Sequence, residues 1–436
     1  MPASASVRTS GKGTRGRLLK FITCPHCWHR FETCEIVWVA KHEDLRGDPV
    51  LGSDEFLRFL PTRFNVTGEA LDARGLACQS LACPRCHLII PRVFLRYEPL
   101  IFSLIGVPYS GKSYFLTAMT WELGRILPTE FGLVFSDVDP TINETLNEYQ
   151  KMLFLQERRD HAVGIIKTQL DSSAHYDSTN LEGQSVLLPR PFLFSMRPLK
   201  EHFNPSQVEE LTRVLCLYDN AGEHFLPRMD TPVAPGTQHV ACSKVLMFIY
   251  DPIQDPRIRE ACRDLSKDPQ LGRYAHTQLQ STILTEAAVR VRLHANMPAH
   301  SKLDQPLIVL VSKSDIWEGL IDEDLASDPY VRTEDSPDGL ARIDLRRVKR
   351  VSRKVRHFLR DLAPEFVAAA EDCCKEVVYM PVSALGCSPS AQRSSGPGKD
   401  NDMLVIRPRD IKPRWATVPV VYAFTVWATG LVRKMN

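Results

Sequence analysis

Residues 106–113 of this 436-residue chain read Gly-Val-Pro-Tyr-Ser-Gly-Lys-Ser, a spacing of glycine, lysine and serine that can hold phosphate groups. In such a loop, backbone N–H groups and the N-terminus of the next helix converge on one anion. The Lys112 ammonium would reach the β- and γ-phosphates of a nucleotide, and the Ser113 hydroxyl would bind Mg²⁺. A chain of this length would contain the pattern by accident about twice in a hundred.

The segments on either side of the loop decide its interpretation. The apolar residues 100–105 are typical of a buried strand, and residues 114–127 predict a helix that is ended by Pro128. Because a strand precedes the loop and a helix follows it, a nucleoside triphosphate site is favoured over a plain glycine turn between core elements. The residues predicted to contact the nucleotide here are Gly106, Tyr109, Ser110, Gly111, Lys112, Ser113 and Tyr114.

A second candidate segment, Asp219-Asn-Ala-Gly222, follows the apolar residues 214–218. A carboxylate at a strand end can hold Mg²⁺ through its water, and a glycine N–H can touch the γ-phosphate and respond to its loss. Alone, the tetrapeptide is an ordinary turn sequence, since Asp and Gly are common turn residues. Its place after a strand, second in order behind the phosphate loop, strengthens the prediction.

Two further segments point to guanine. Strand residues 307–311 lead into Ser312-Lys-Ser-Asp315, and residues 377–382 lead into Ser383-Ala384-Leu385. The Asp315 carboxylate can accept hydrogen bonds from N1–H and the exocyclic amine of guanine, whereas adenine would leave it buried and unpaired. The Lys313 stem would lie along the base, and a backbone N–H near Ala384 would bond the guanine carbonyl. A helix N-cap after a strand explains Ser312 or Asp315 but not the whole set.

The order of these four segments resembles the translation-factor-like (TRAFAC) class of P-loop GTPases, over most of residues 98–390. The resemblance implies phosphate and Mg²⁺ roles for Gly106, Gly111, Lys112 and Ser113, a second switch at Asp219 and Gly222, and base contacts from Lys313, Asp315 and Ala384. With its N-terminal cysteine segment and long insertions, the chain also looks similar to double-GTPase-related proteins of bacterial conflict systems. The implied function is GTP hydrolysis by a molecular switch within a multi-protein system, with protein partners.

The chain departs from that class at two positions. Ser312 opens the base motif in place of Asn or Thr, and Glu223 stands where the class carries a water-orienting Gln. A carboxylate beside the γ-phosphate is repelled, so we expect slow hydrolysis that a partner accelerates. The Mg²⁺-sensing threonine of the first switch is assigned to Thr168, among several candidates. The alternatives are a GTP-binding module that hydrolyses nothing and a P-loop ATPase.

Four cysteines form two matched Cys-x-x-Cys turns, Cys24–Cys27 and Cys83–Cys86. Two such turns let four thiolates surround one Zn²⁺ tetrahedrally. The alternative, a thiol oxidoreductase, predicts a single such motif at the start of a helix. The second turn and the apolar residues after each turn favour a zinc ribbon. We expect the ribbon to dock a protein, with nucleic-acid binding as the alternative.

Apolar runs that suit buried parallel strands alternate with helical stretches, which predicts a three-layer α/β/α sandwich. The predicted strands are residues 100–105, 192–196, 214–218, 245–250, 307–311 and 377–382. The predicted helices are residues 113–127, 143–159, 274–293 and 345–370. We divide the chain into a disordered basic arm (1–20), a zinc ribbon with an inserted loop (21–97) and a P-loop domain (98–436) with insertions at about 128–190 and 318–341.

Composition is that of an ordinary globular protein, with 44% hydrophobic residues and a net charge of +2, which gives no general reason to expect nucleic acid or an anionic membrane as a partner. No apolar segment follows the charges of the arm as in a secretory signal, so we expect a cytoplasmic protein with reduced thiols. Residues 416–432 carry no charge but are short and diluted for a membrane span. We expect them to form a C-terminal helix packed on the sheet.

Overall fold

A seven-stranded sheet forms the centre of the molecule in the computed structural model, which describes residues 18–164, 176–219, 238–272, 280–332, 339–392 and 403–435. Most of the arm, together with Thr168, Gly222 and Glu223, lies outside the described residues. The prediction of a three-layer α/β P-loop fold behind a small cysteine module is confirmed.

The strands before the phosphate loop are short. They are β1 (Phe21–Thr23), β2 (Arg30–Glu32), β3 (Val37–Val39), β4 (Arg46–Asp48), β5 (Gly52–Phe56), β6 (Arg58–Phe59), β7 (Ala70–Leu71), β8 (Ala77–Cys78), β9 (Leu81–Ala82) and β10 (Ile89–Ile90). The central sheet and its insertions contain β11 (Pro99–Gly106), β12 (Leu133–Asp137), β13 (Tyr176–Leu181), β14 (Gln184–Pro189), β15 (Phe192–Pro198), β16 (Arg213–Asp219), β17 (Val245–Tyr250), β18 (Leu307–Val311), β19 (Tyr330–Val331), β20 (Arg342–Ile343), β21 (Val377–Pro381), β22 (Ser390–Gln392) and β23 (Met403–Val405).

Helices cover the faces of the sheet. They are α1 (Lys112–Phe131), α2 (Glu144–Phe154), α3 (Val208–Leu211), α4 (Gln238–Cys242), α5 (Pro256–Cys262), α6 (Gln280–His294), α7 (Ser314–Trp317), α8 (Leu345–Leu362), α9 (Pro364–Cys373) and α10 (Val418–Val426). Residues 345–370, predicted as one helical stretch, form two helices because Pro364 begins α9 at a position where its missing N–H costs nothing.

The strand order in the central sheet is β12-β15-β16-β11-β17-β18-β21. Strands β16, β11, β17, β18 and β21 are parallel neighbours, so their carboxyl ends share one edge. The expectation that residues 192–196 form a parallel strand is wrong in direction: they lie in β15, which runs antiparallel to both β12 and β16. Apolar composition identifies a buried strand but carries no information about its direction.

Helix α1 continues past Pro128 and ends at Phe131, so the prediction that this proline ends the helix is wrong. A proline removes one intrahelical hydrogen bond, and here the last turn is retained by the buried side chains of Leu127 and Phe131. The helix ends instead at Gly132, which has φ +63° and donates its N–H to the Leu127 carbonyl.

The cysteine segment packs directly on the central sheet. Alternate side chains of β16 (Val214, Cys216 and Tyr218) belong to the same buried cluster as Trp28 and Phe31. The intervening β16 residues Leu215 and Leu217 belong to the main core of the P-loop domain. Successive side chains of a strand point to opposite faces, so the ribbon covers β16 on one face.

Within residues 416–432 the predicted C-terminal helix is shorter than the stretch: it is α10, Val418–Val426, which is buried and packs on the sheet, with the rings of Phe424 and Phe102 on β11 at 6.2 Å. Within the described ranges, no helix is long and apolar enough to cross a membrane.

Candidate functional site

The phosphate loop joins the end of β11 to the start of α1, as the sequence predicts. Two of its residues have left-handed backbone conformations, Tyr109 with φ +63° and Gly111 with φ +89°. The Ser110 hydroxyl donates to the Val107 carbonyl at 2.8 Å, which closes the loop from inside. The loop leads directly into the N-terminus of a 20-residue helix, an arrangement that attracts anions.

Gly106 is the residue of the loop that packing requires to be glycine. A Cβ added there would lie 2.8 Å from the Ile249 carbonyl oxygen of the adjacent strand β17. Real side chains do not approach a backbone oxygen so closely, so the strand end and the loop would have to separate. The close contact between Gly106 and β17 therefore fixes the position at which the loop leaves the sheet.

Lys112, Ser113 and Asp219 converge beside the loop. The Lys112 ammonium donates to the carbonyls of Gly106 and Val107, both at 2.9 Å. The Ser113 hydroxyl donates to Oδ2 of Asp219 at 3.3 Å. The other carboxylate oxygen of Asp219 is buried and has no hydrogen-bond partner among the described residues. Burial raises the pKa of Asp219 to about 6, against the opposing effects of the Lys112 charge and the Ser113 hydrogen bond.

This set of groups fits Mg²⁺. A hydroxyl and a carboxylate are the hard oxygen donors that Mg²⁺ accepts, in company with waters and phosphate oxygens. An orphaned, buried carboxylate oxygen is costly unless a cation or donor reaches it. Ser113 and Asp219 would hold the ion, directly or through water, next to the phosphates bound by the loop.

The proposed base-binding residues lie farther along the same edge of the sheet. Lys313 has φ +55°, and its ammonium pairs with the Asp251 carboxylate at 2.7 Å. The Ser383 hydroxyl donates to Oδ1 of Asp315 at 2.5 Å. Burial raises the pKa of Asp315, and the hydrogen bond from Ser383 offsets only part of that shift. The two segments that follow β18 and β21 are therefore in direct contact.

Ser383, Ala384 and Leu385 are held in place by the segment that leads into α10. Ser383 exchanges two backbone hydrogen bonds with Arg414, at 3.0 and 2.9 Å, and the Leu385 carbonyl accepts from the Lys412 N–H at 2.8 Å. The backbone near Ala384 is thereby fixed beside Asp315. Tyr109, in contrast, is 61% exposed on the outer side of the phosphate loop.

Sequence reasoning missed a polar connection between the phosphate loop and the base motif. The Gln254 amide donates to the Pro108 carbonyl at 3.0 Å and to the Asp251 carboxylate at 3.2 Å. Asp251, which follows β17, is also the partner of Lys313. The available signal was its position: an Asp directly after an apolar strand, as at Asp219.

The four cysteines of the two turns form a closed centre. The Sγ atoms of Cys24 and Cys86 are 3.7 Å apart, as are those of Cys27 and Cys83. All four lie within 4.8 Å of one another and are buried. A tetrahedron of thiolates at about 2.3 Å from Zn²⁺ has sulfur–sulfur edges of about 3.8 Å, so the geometry fits a structural zinc site.

The two turns have the same local conformation. The His26 N–H donates to the Cys24 sulfur at 3.3 Å, and the Arg85 N–H donates to the Cys83 sulfur at 3.4 Å. The residue after each turn, Trp28 or His87, has positive φ. These N–H···S bonds stabilise thiolates. The spare thiols Cys34 and Cys78 are outside the cluster.

The ribbon contacts the strand that carries Asp219. The Trp28 indole N–H donates to the Tyr218 hydroxyl at 3.1 Å, and that hydroxyl donates to the Pro25 carbonyl. The ring of Tyr218 also stacks on His239 at 4.6 Å. Burial raises the pKa of Tyr218 well above its usual range. Tyr218 immediately precedes Asp219, so the residue that contacts the ribbon is the chain neighbour of a candidate metal ligand.

The hairpin β13–β14, within the long segment between α1 and β15, contacts the ribbon as well. The Thr179 hydroxyl donates to the Cys86 carbonyl at 2.9 Å, and the Asn180 N–H donates to the Val50 carbonyl at 3.1 Å. Residues 165–175, which include the predicted first-switch Thr168, precede this hairpin and are outside the described part of the chain.

No protein-family model and no curated protein sequence matches the chain. Among solved structures it is similar to Sup35 complexed with GDP, at 14% identity over 66% of this chain and 38% of that one, with a TM-score of 0.21. It is also similar to translation elongation factor SelB from Methanococcus maripaludis with the GTP analogue GppNHp, at 10% identity over 66% and 30%, with a TM-score of 0.20. The chain spans less than two-fifths of those structures, and at such TM-scores the likeness supports no statement about the site.

Proposed function

We propose that the chain binds GTP with Mg²⁺ and hydrolyses it to GDP and phosphate. The observation that carries the proposal is that two groups of polar side chains lie along one edge of the sheet, one suited to a triphosphate and one to a purine base. Lys112, Ser113 and Asp219 meet at the triphosphate end, and Asp315 meets Ser383 at the base end. The contacts of Gln254 and Asp251 connect the two ends, so the loop and the base motif are held in one geometry.

The base end favours guanine over adenine on chemical grounds. Asp315 is a half-buried carboxylate whose pKa is raised, so its ionised form gains from donors at the base edge. Guanine presents N1–H and an amine to it, and adenine presents an acceptor. Two hydrogen bonds to a charged group contribute about 3 kcal/mol or more, which is about 100-fold in affinity.

Hydrolysis requires a water molecule in line with the bond between the γ-phosphorus and the oxygen that bridges the β- and γ-phosphates. The water oxygen bonds to phosphorus, the bridging oxygen leaves with GDP, and a proton is released to solvent. When bound, Mg²⁺ neutralises charge on the β- and γ-phosphates. Lys112 and the loop amides stabilise the same charge, and Ser113 with Asp219 hold the ion. Glu223 in the place of a water-orienting Gln supports a slow intrinsic rate.

We also propose that the chain acts as a switch together with a partner protein. A slow hydrolase whose rate a partner raises acts as a molecular switch, with Gly222 and Thr168 sensing the γ-phosphate. The resemblance to double-GTPase-related proteins of bacterial conflict systems suggests that the partner belongs to a multi-protein system. The ribbon, held against β16, is the surface we assign to protein docking.

The purine preference is tested by competition of GTP, ATP and XTP for a fluorescent guanine nucleotide with Mg²⁺ present. The parent should prefer GTP over ATP, and Asp315→Ala should lose most of that preference. Asp315→Asn presents an amide donor in place of an acceptor, so it should gain affinity for xanthine, which carries a carbonyl where guanine carries its amine. Asp304→Asn, an exposed change before the amino end of the same strand β18, is the matched control. Equal parent affinity for GTP and ATP would refute guanine selection.

Hydrolysis is tested by single-turnover phosphate release. Lys112→Ala should abolish release, and Glu223→Gln should hydrolyse GTP faster than the parent. Tight GTP binding with no phosphate release, in the parent and in Glu223→Gln, would leave a GTP-binding module and refute the enzymatic part of the proposal.

A further inference from the structure

Helix α8 carries an unusual concentration of positive charge. Its 18 residues include eight Lys or Arg side chains and a single acid, Asp361. The net charge of the whole chain is only +2, so this helix differs strongly from the average of the protein. The charges are confined to one side because the helix buries Val348, Val351, Val355, Phe358 and Leu359 in the core.

Half of these basic side chains are used within the fold. Arg350 and Lys354 pair with Glu323, and Arg356 pairs with Glu371. The Arg347 guanidinium donates to backbone carbonyls of residues 324, 327 and 328. These contacts anchor α8 to the loop that precedes it and to α9.

The other four, together with His357, form an exposed line, which we call the basic stripe: Arg346, Lys349, Arg353, His357 and Arg360. Their spacing places them within about 80° of the helix circumference and along about 21 Å of its length. Arg346, Lys349 and Arg353 make no ion pair or side-chain hydrogen bond with any residue that the structure describes. Arg360 lies 4.0 Å from its own neighbour Asp361. Like charges in a row repel one another, so an external anion is the group that would stabilise them.

The linear arrangement of the stripe favours the phosphates of a nucleic acid over a membrane surface. An amphipathic helix that inserts into a membrane needs a free apolar face, and the apolar face of α8 is buried against the core, with Phe358 stacked 4.9 Å from Trp317. A single line of guanidinium and ammonium groups instead matches a line of phosphates. Over about 21 Å, one strand of a duplex presents about six of them.

We propose that α8 binds the phosphate backbone of a nucleic acid through the basic stripe, without reading its sequence. Phosphate contacts position a protein on a strand and carry no base information. The stripe is separate from the nucleotide site, so the proposal does not depend on GTP binding.

The test is fluorescence anisotropy of the full chain with labelled RNA and duplex DNA of about 20 nucleotides or base pairs, at several KCl concentrations. About four phosphate contacts predict a slope of log K against log[KCl] of about −3 to −4. Reversal of the stripe (Arg346→Glu, Lys349→Glu, Arg353→Glu) should reduce affinity by about 100-fold near 100 mM KCl and flatten the slope by about 3. The two probes distinguish RNA from DNA as the source of the phosphates.

The control is a second triple charge reversal at exposed basic residues away from α8: Arg197→Glu, Lys200→Glu and Lys267→Glu. It changes the net charge by the same amount and should retain most of the affinity. Both triple variants should keep the circular dichroism spectrum and the urea unfolding midpoint of the parent, which shows that they fold. Equal losses in the two variants would mean a non-specific charge effect and overturn the proposal. So would binding to phosphatidylserine vesicles without binding to either nucleic acid.

Discussion

Removing one hydroxyl, that of Tyr218, tests whether the ribbon and the sheet share one core. This hydroxyl accepts from the Trp28 indole and donates to the Pro25 carbonyl. Tyr218 is fully buried, and Trp28 is 7% exposed. Tyr218→Phe keeps the ring and its packing but leaves a buried donor on Trp28 and a buried acceptor on Pro25 without partners.

Each of the two orphaned groups costs about 1–3 kcal/mol, so we expect Tyr218→Phe to lower the free energy of unfolding by about 2–6 kcal/mol. That is a large part of the stability of an ordinary domain. Urea unfolding followed by tryptophan fluorescence measures the loss. Release of zinc bound at the four cysteines, followed with a chromogenic chelator, should move to lower urea concentration together with the fluorescence transition, because the four cysteines and β16 belong to one buried cluster.

Tyr379→Phe is the matched control at a distant strand. Tyr379 is also buried, but its hydroxyl donates to Glu371, whose carboxylate keeps its pairing with Arg356 when the hydroxyl is removed. No buried group is orphaned there, and the expected loss is about 1 kcal/mol or less. If Tyr218→Phe cost no more than Tyr379→Phe, the ribbon would not be packed on β16 as described.

Three further predictions concern Asp219, two glycines and the cysteines. Burial raises the pKa of Asp219 to about 6 from an ordinary 3.8, so folding favours the protonated form, and the nucleotide-free protein loses stability as the pH rises from about 4 to 6; urea unfolding should find Asp219→Asn more stable than the parent by about 3 kcal/mol at pH 7 and equal to it near pH 4. Gly106→Ala should weaken GTP binding by about tenfold or more in the competition assay, since its Cβ meets a strand carbonyl, whereas Gly124→Ala, in open space on α1, should stabilise the protein by about 0.5–1 kcal/mol. Metal analysis should find one zinc per chain in the parent and in Cys34→Ser, and little in Cys27→Ser; equal zinc in both variants would contradict the four-thiolate site.

The sequence predicts best where one physical cause dominates. Residues 245–250 and 307–311 are continuous apolar runs, and the strands Val245–Tyr250 and Leu307–Val311 have those bounds. Chemistry-bearing residues directly after such runs were located for the same reason, because the carboxyl ends of parallel strands must meet at one edge.

Features that depend on tertiary contacts were not predicted. Strand β12 (Leu133–Asp137) lies at the sheet edge, is only partly buried and was included in a predicted insertion. The role of Gln254 depends on a carbonyl of the phosphate loop 146 positions earlier. The net charge of the chain concealed the stripe on α8, because an average contains no information about which side of a helix the charges occupy.

The position of the ribbon on β16 has a consequence for how the protein matures. Until the N-terminal segment packs on β16, the apolar side chains on one face of the strand that bears the candidate Mg²⁺ ligand are exposed. Exposed hydrophobic surface of this kind promotes aggregation. The geometry of the four cysteines fits zinc, and a bound zinc would hold the N-terminal segment in place on the strand. Loss of zinc would then destabilise the strand that carries Asp219 together with the ribbon.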